Sequence, residues 1–165
     1  MSKLHVAFIG VGRIADLHYL GYKNNKNASL YALCDTNEKL LEQRKKQWKV
    51  SVIYTNYWDL LADPNVDAVE ILTPHALHEE VYVAASKAGK HIALQKPMTN
   101  DLKSADRMLK AAHNSGKIYR VTDNYSFYPP LLFAKKIIDN GDIGKPIAIR
   151  IKFIGGGSGG WYVPP

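Results

Sequence analysis

The sequence lacks several features that define whole classes of protein. Its 165 residues contain a single cysteine, Cys34, so the chain cannot form an internal disulfide. No apolar run approaches the length that spans a membrane. The first residues also lack the long apolar segment and small-residue cleavage site of a secretory signal. We therefore expect a cytoplasmic protein with no membrane partner.

Acidic residues are in the minority, at 15 against 22 lysines and arginines, and the net charge is +7. Such a balance suits either a solvated basic surface with a site for anionic ligands or a nucleic-acid-binding protein. The densest basic cluster falls late in a predicted helix, where cations suit the negative end of the dipole. We therefore favour a solvated face and expect no nucleic-acid partner. The cluster consists of Arg44, Lys45, Lys46 and Lys49.

Short apolar runs alternate with helical patterns along most of the chain. Apolar residues make up 46% of the sequence, which is typical of a packed globular domain. Nearly continuous apolar strands separated by helices indicate parallel strands that are covered on both faces. We predict an α/β fold with a doubly wound parallel sheet, a Rossmann fold. The predicted strands are residues 4–9, 29–34, 50–54, 67–73, 91–95 and 117–122, and the predicted helices are residues 13–24, 37–49, 56–62, 76–88, 101–115 and 130–140.

The last part of the sequence follows a different pattern. Residues 146–154 alternate between apolar and polar side chains, which indicates a half-exposed strand. The glycine-rich residues 155–160 are typical of a flexible linker or an engineered scar. We predict a Rossmann domain over residues 1–123. Residues 124–165 are predicted to hold a linking helix and the first strand of a truncated α+β substrate domain.

A G-x-G-x-x-A pattern stands directly after the first predicted strand and at the start of a helix. Gly10 permits a tight turn, Gly12 lets backbone N–H groups approach a pyrophosphate, and Ala15 lets the helix pack close to the strand. The positive end of the helix then faces the phosphates. The motif predicts dinucleotide contacts from Gly10, Gly12, Arg13 and Ile14.

Asp35 ends the second predicted strand, 25 residues after Gly10. A carboxylate near this spacing accepts hydrogen bonds from the hydroxyls of the adenosine ribose and repels a 2′-phosphate. The alternative is that Asp35 caps the helix that starts near Asn37. The two roles are compatible, and we predict NAD as the cofactor, with NADP as the alternative.

Two more segments follow strands at the edge where open α/β sheets bind ligands. After the fourth strand, Thr73 and Pro74 precede His75 and His78, which share one helical face. No third metal ligand is evident, so we predict no metal site, and packing is the default role of His78.

Lys96 ends the fifth predicted strand and precedes Pro97. The proline holds Lys96 in an extended conformation, and the bond between them is a candidate for cis. Hydride transfer at an alcohol carbon needs a group that handles the hydroxyl proton, and a lysine can do this. An ordinary surface lysine is an equally good interpretation from position alone.

Together these segments resemble the Gfo/Idh/MocA oxidoreductase family. The resemblance implies an N-terminal Rossmann domain, an open-sheet substrate domain and hydride transfer at a sugar, inositol or related polyol. It implies that Lys96 is catalytic or positions the substrate, and that the full-length protein is a homo-oligomer. The resemblance covers the whole chain, through residues 8–15, 34–35, 66–69, 73–74, 78, 88–91, 96–97 and 140–144. It places Thr73, Pro74, His78, Gln95 and Lys96 at the cofactor.

The sequence departs from the family pattern at several positions. Gln95 stands where the family usually has glutamate, which removes a charge beside Lys96. His75 replaces a common asparagine, and Ser126 stands where many members carry arginine. We expect the family's later aspartate and histidine to lie beyond residue 165. Two hypotheses remain: an NAD(P)-dependent dehydrogenase, and a non-catalytic NAD-binding sensor or regulatory module.

Overall fold

A computed structural model describes residues 3–113 and 115–152. Contacts divide the chain after Thr122 into two compact units. The strands of the first unit are β1 (Leu4–Ile9), β2 (Ala28–Cys34), β3 (Val52–Tyr54), β4 (Ala68–Ile71), β5 (His91–Gln95) and β6 (Tyr119–Thr122). Its helices are α1 (Arg13–Leu20), α2 (Glu38–Trp48), α3 (Tyr57–Ala62), α4 (His78–Lys87) and α5 (Leu102–His113), and a 3₁₀ turn at His75–Leu77 precedes α4.

The six strands form one parallel sheet in the order β3-β2-β1-β4-β5-β6. The chain builds outward from β1 to β3, returns to place β4 beside β1, and then builds outward to β6. This is the predicted Rossmann topology. The order reverses between β1 and β4, and ligands of such sheets bind in the crevice at this point. Gly10, after β1, and Thr73, after β4, therefore stand on the two sides of the crevice.

Both faces of the sheet are covered, as the continuous apolar strands predict. In β1, Phe8 packs with Ala15 of α1 and with Leu41 and Trp48 of α2. Its neighbours Ala7 and Ile9 point to the other layer, where Val81 of α4 and Met108 of α5 lie. Each large side chain that is fully buried in these layers contributes about 1.5–3 kcal/mol to folding.

The first helix is shorter than predicted. It ends at Leu20 rather than at residue 24. Asn25 explains the difference, because its side-chain amide donates to the Gly21 carbonyl while its Oδ1 accepts from the N–H groups of Asn27 and Ala28. These bonds build a turn that leads directly into β2, in place of a further helical turn.

The second unit contains a 3₁₀ turn at Asn124–Phe127, which the sequence pattern did not predict, and helix α6 (Pro129–Asp139). The predicted strand over residues 146–154 is wrong for residues 146–152, which form no strand, and Ile147 is 98% exposed. Alternation makes a strand only where a neighbouring strand offers ladder hydrogen bonds. Residues 153–154 and the glycine run at 155–160 lie outside the described residues. None of the described helices has the length and apolar character to cross a membrane.

Candidate functional site

The turn after β1 requires glycine at position 10 for two independent reasons. Gly10 has a φ of +96°, in the left-handed region that side chains disfavour. A Cβ there would also lie 2.8 Å from the carbonyl oxygen of Leu72, closer than packed atoms approach. The N–H of Gly10 donates to the Cys34 carbonyl oxygen over 2.8 Å. The turn is thereby held against the ends of both β4 and β2.

Gly12 differs, because no contact within the described chain requires it to be glycine. It is the N-cap of α1, with a φ of −67°, and a Cβ there would meet no described atom within 4 Å. No side chain in the described part of the chain caps α1, so its first backbone N–H groups have no side-chain acceptor there at the positive end of the helix. Arg13 is exposed, Ile14 is half-buried and Ala15 is fully buried, as close helix–strand packing requires. This arrangement fits the phosphates of a dinucleotide.

Asp35 is tied to the glycine turn. Its Oδ2 accepts from the N–H of Val11 over 2.8 Å, and its Oδ1 accepts from the N–H of Asn37 over 2.9 Å. The cap of α2 is Asn37, whose side chain accepts from the N–H of Leu40, so the capping alternative for Asp35 is wrong. Asp35 is half-buried and each oxygen keeps a lone pair, which allows it to accept further hydrogen bonds.

Arg44 does not belong to a solvated basic face. Its side chain is buried, with Nε donating to the Val11 carbonyl oxygen over 3.3 Å and Nη2 donating to the Asp16 carboxylate. The guanidinium also lies 5.0 Å from the centre of the Trp48 ring, a cation–π distance. Ion pairing and stacking offset the desolvation of this charge, so it braces the glycine turn from α2. Of the predicted cluster, Lys46 and Lys49 are exposed.

The single cysteine takes no part in chemistry at this site. Burial, with the nearby charges of Asp35 and Asp59, raises the pKa of the Cys34 thiol to about 12. The thiol therefore stays protonated and is a poor nucleophile. The contribution of Cys34 to the site is its carbonyl oxygen, which accepts from Gly10.

His78 is fully buried between the segments that follow β4 and β5. Its Nε2 lies 3.0 Å from the Thr73 carbonyl oxygen, and its Nδ1 lies 2.9 Å from the Pro97 carbonyl oxygen. Carbonyl oxygens only accept, so both contacts are hydrogen bonds only when the ring carries two protons. His78 acts on the site through these backbone atoms, since its side chain has no exposed surface. Its ring contacts His75 edge to face, and no described group of His, Cys, Asp and Glu could hold a metal ion.

Thr73 and Pro74 lie where β4 reaches the crevice. The Thr73 hydroxyl is buried and has no hydrogen-bond partner among the described residues. Its backbone nitrogen would lie 3.1 Å from a Cβ on Gly10, so Thr73 lies directly against the glycine turn. Buried hydroxyl groups normally form a hydrogen bond, so this one is suited to bind a polar ligand group or a water in the crevice. Pro74 is exposed beside it.

Lys96 is exposed at the end of β5, and its peptide bond to Pro97 is cis. Within the described ranges its ammonium makes no hydrogen bond or salt bridge, although its backbone N–H donates to Oε1 of Gln95 over 2.8 Å. Lys90 shows the contrasting structural use of a lysine. It is buried, and its ammonium donates to the carbonyl oxygens of Asp63 and Val66. The ammonium of Lys96 thus remains available at the ligand-binding edge of the sheet.

A partly buried polar network next to Lys96 was missed at the level of sequence, and only Glu70 within it is fully buried. Gln95 Nε2 lies 2.8 Å from His18 Nε2, and His18 Nδ1 lies 2.6 Å from Glu70 Oε1. The Tyr22 hydroxyl donates to Glu70 Oε2 over 3.0 Å. Burial and the adjacent carboxylate raise the pKa of Tyr22 well above its ordinary value, so it stays a donor. The available signal was Glu70 itself, a charged residue inside an otherwise apolar strand.

Comparison with known proteins agrees with this geometry. The model of the Gfo/Idh/MocA oxidoreductase family, described as an NAD-binding Rossmann fold, matches residues 4–123. Myo-inositol 2-dehydrogenase of Thermotoga maritima is 34% identical over 148 residues, which are 90% of this chain and 44% of that enzyme. The NAD(+)-dependent scyllo-inositol 2-dehydrogenase of Bacillus subtilis is 31% identical over 152 residues, covering 88% of this chain and 43% of that enzyme. The chain thus spans less than half the length of these relatives.

Solved structures show the same likeness. Myo-inositol 2-dehydrogenase from Lactobacillus plantarum has a TM-score of 0.82 at 33% identity, covering 87% of this chain and 43% of that one. An oxidoreductase from Agrobacterium radiobacter, solved in complex with NAD+, L-tartaric acid and magnesium, has a TM-score of 0.85 at 28% identity, covering 88% and 42%. The chain therefore belongs to the Gfo/Idh/MocA oxidoreductase family, and its residues 4–123 are the NAD-binding Rossmann part of that family.

Proposed function

We propose that this chain is the nucleotide-binding half of an NAD(P)-dependent oxidoreductase that moves a hydride between nicotinamide and a sugar, inositol or related polyol. The observation that carries the proposal is the uncapped N-terminus of α1. No described side chain caps this end of the helix, and a Cβ on Gly12 would meet no described atom within 4 Å. A phosphate therefore has room to approach the first N–H groups of α1, at the point where the sheet order reverses. A helix N-terminus of this kind binds phosphate.

The residues of the glycine turn hold the cofactor in this proposal. The backbone at Gly10, Gly12, Arg13 and Ile14 faces the pyrophosphate. The Asp35 carboxylate, fixed by Val11, accepts hydrogen bonds from the hydroxyls of the adenosine ribose. The same negative charge disfavours a 2′-phosphate, so NAD is preferred over NADP. When bound, the nicotinamide supplies the acceptor or donor of the hydride.

Lys96 handles the proton of the reacting hydroxyl. Oxidation of an alcohol removes a hydride from carbon and a proton from oxygen, so a basic group beside the oxygen accelerates it. The Lys96 side chain is exposed at the carboxyl end of β5 and has no described partner that would occupy it. Gln95 and His78 hold the backbone around it, at Lys96 and at Pro97. Thr73 and Pro74 form the facing side of the crevice.

The relatives support the substrate class. Those compared above by sequence are inositol dehydrogenases, and their likeness covers 88–90% of this chain, which includes the nucleotide-binding part. This chain covers 43–44% of their length, so most contacts to a polyol come from a region with no counterpart in these residues. In the proposed protein, residues 124–165 lead from the Rossmann part into that region.

A second function is a non-catalytic NAD-binding sensor or regulatory module. It is favoured by Gln95, which puts a neutral amide beside Lys96 where the family usually has a carboxylate. A module of this kind keeps the glycine turn and Asp35 and needs no proton-transfer group.

One experiment separates the two functions. The chain is incubated with NAD+ and a panel of inositols and sugars, while cofactor binding and NADH formation are followed by fluorescence. A second arm uses a fusion of this chain to the C-terminal part of the Thermotoga maritima enzyme, which supplies the remaining length. NADH formation with one polyol supports the oxidoreductase. Saturable binding without turnover in both arms supports the module, and absence of binding contradicts both.

A further inference from the structure

We propose that Glu70 and His18 are positioning residues for Lys96, acting through the side-chain amide of Gln95. Glu70 holds His18 as the tautomer protonated at Nδ1, and His18 in turn fixes which end of the Gln95 amide faces Lys96. The importance of Lys96 rests on the proposed function. The hydrogen-bond order itself rests only on the geometry of the first unit.

The backbone of Lys96 determines the orientation of the Gln95 amide. Its N–H lies 2.8 Å from a side-chain atom of Gln95, and only the amide oxygen of Gln95 can accept there. The Gln95 NH₂ group must therefore face the other way, toward His18 Nε2 at 2.8 Å. Since an NH₂ group only donates, His18 Nε2 must be the unprotonated nitrogen of the ring.

The proton of a neutral His18 then sits on Nδ1, where it finds an acceptor. Nδ1 lies 2.6 Å from Oε1 of Glu70, a distance typical of a charge-assisted hydrogen bond. The second oxygen of Glu70 accepts from the Tyr22 hydroxyl over 3.0 Å. From Lys96 through Gln95 and His18, each group donates to the next until Glu70, which also accepts from Tyr22, so every donor in the network meets an acceptor.

Burial makes it unfavourable for two donors or two acceptors to face each other in this hydrogen-bond network. The side chains of Glu70 and His18 are only 6% and 17% exposed, so water does not readily replace a lost partner. Phe8 shields the same face, with its ring edge to face with Tyr22 at 5.4 Å. Charged residues near these groups in the fold include Asp16, on the same helix as His18, and Arg120 of β6, which is in register with Ala93, the β5 partner of Glu70.

The network also accounts for glutamine at position 95. A glutamate there has no proton to donate, so it would require His18 to carry a proton on Nε2 and become doubly protonated. A glutamine instead matches the neutral ring. When His18 of the native chain takes up a second proton, Gln95 must turn its oxygen toward Nε2. Lys96 N–H then faces an NH₂ group and loses its acceptor.

Nuclear magnetic resonance of the isotopically labelled chain tests the proton order. Long-range proton–nitrogen spectra report which ring nitrogen of each histidine carries a proton, and exposed His113 gives an internal reference. At a pH where His18 is neutral, we expect a protonated Nδ1 and an unprotonated Nε2. The proposal is overturned if Nε2 carries the proton.

The Lys96 amide resonance tests the positioning role. On acidification, we expect it to move with the same midpoint as the His18 ring in the native chain. In Gln95→Glu we expect His18 to be doubly protonated throughout this pH range. The Lys96 amide resonance should then show no shift that follows protonation of the His18 ring. The proposal is overturned if the Lys96 amide resonance of the native chain does not shift when His18 is protonated, or if His18 is neutral in Gln95→Glu. None of these readouts needs cofactor or substrate, so failure of the proposed function would leave them unchanged and is recognised separately by loss of NADH binding.

Discussion

The Asp35 carboxylate accepts a hydrogen bond from the backbone N–H of Val11 over 2.8 Å, which links the end of β2 to the glycine turn after β1. The residue that is expected to contact the ribose therefore also shapes the turn that is expected to contact the phosphates. A substitution at Asp35 acts on both, and two variants can separate the effects.

We expect Asp35→Ser and Asp35→Asn to lose discrimination between NADH and NADPH. Each removes the charge that repels a 2′-phosphate in the proposed function, and a hydrogen bond to a charged group is worth about 1.5–3 kcal/mol. The ratio of the two dissociation constants should fall roughly ten- to a hundredfold. Asn keeps an acceptor for the Val11 N–H and loses only the one for Asn37, whereas Ser is too short to replace both, so Ser should lower the melting temperature more than Asn. An unchanged ratio in both variants would show that Asp35 is purely structural.

Gly10→Ala and Gly12→Ala form a matched pair. Gly10→Ala should destabilise the fold by about 1–3 kcal/mol, because φ is +96° and the new Cβ meets Leu72. Gly12→Ala should leave stability near that of the native chain, because its Cβ meets nothing described within 4 Å. It should nevertheless weaken NADH binding roughly tenfold or more, about 1.4 kcal/mol, by filling the space in front of α1. Thermal unfolding and NADH titration check both, and equal affinity in Gly12→Ala contradicts the phosphate assignment.

Lys96→Ala should reduce turnover about 10²–10⁴-fold while NADH affinity stays near the native value, because in the proposed function the side chain handles the substrate proton. The measurement is NADH formation in the fusion to the Thermotoga maritima C-terminal part. Lys103→Ala removes another exposed lysine, on α5, and serves as the control. Equal turnover in the two variants would show that Lys96 is an ordinary surface lysine with no catalytic role.

Asp101 makes a testable contribution to acid stability. Hydrogen bonds from the Ser104 hydroxyl and backbone N–H lower the pKa of Asp101 below its usual 3.8. A depressed pKa stabilises the fold above the unfolded-state pKa, and this stabilisation is lost as pH falls through the folded-state pKa. At neutral pH, Asp101→Ala should therefore melt below the native chain, while Asp101→Asn keeps an acceptor for Ser104.

The comparison between the native chain and Asp101→Asn isolates the proton. Asparagine has no group to protonate there, so any advantage of the native chain should shrink as the pH falls below about 3.8. Melting curves by circular dichroism from neutral to acidic pH measure this. A difference between the two that stays constant over the range would contradict the role of the Asp101 charge.

Most of the fold could be predicted because the strands of the first unit are apolar on both faces and the helices between them are punctuated by capping residues and glycines. Asn37 and Asn56 cap α2 and α3, at the positions where local sequence indicates helix starts. The strand at residues 146–152 was wrong because strand formation depends on a partner, which local alternation does not report.

The site was predictable only in part, for a similar reason. Gly10 and Gly12 carry their own conformational signal. The inward turn of Arg44 depends on Asp16 and Trp48, and the role of His18 depends on Glu70 and Gln95, which are distant in sequence. The sequence pattern placed His78 on a helix, but it did not indicate that the ring is buried between two carbonyl oxygens. Such contacts between separate strands and helices have no periodic trace in the sequence.

A titration of this purified chain with NADH and NADPH, followed by cofactor fluorescence, tests the proposed dinucleotide site directly. We expect saturable binding that is tighter for NADH, because the proposed site places the phosphates at the N-terminus of α1 and a 2′-phosphate would meet the negative charge of Asp35. Absence of saturable binding of either cofactor by a chain that circular dichroism shows to be folded would contradict the proposed site.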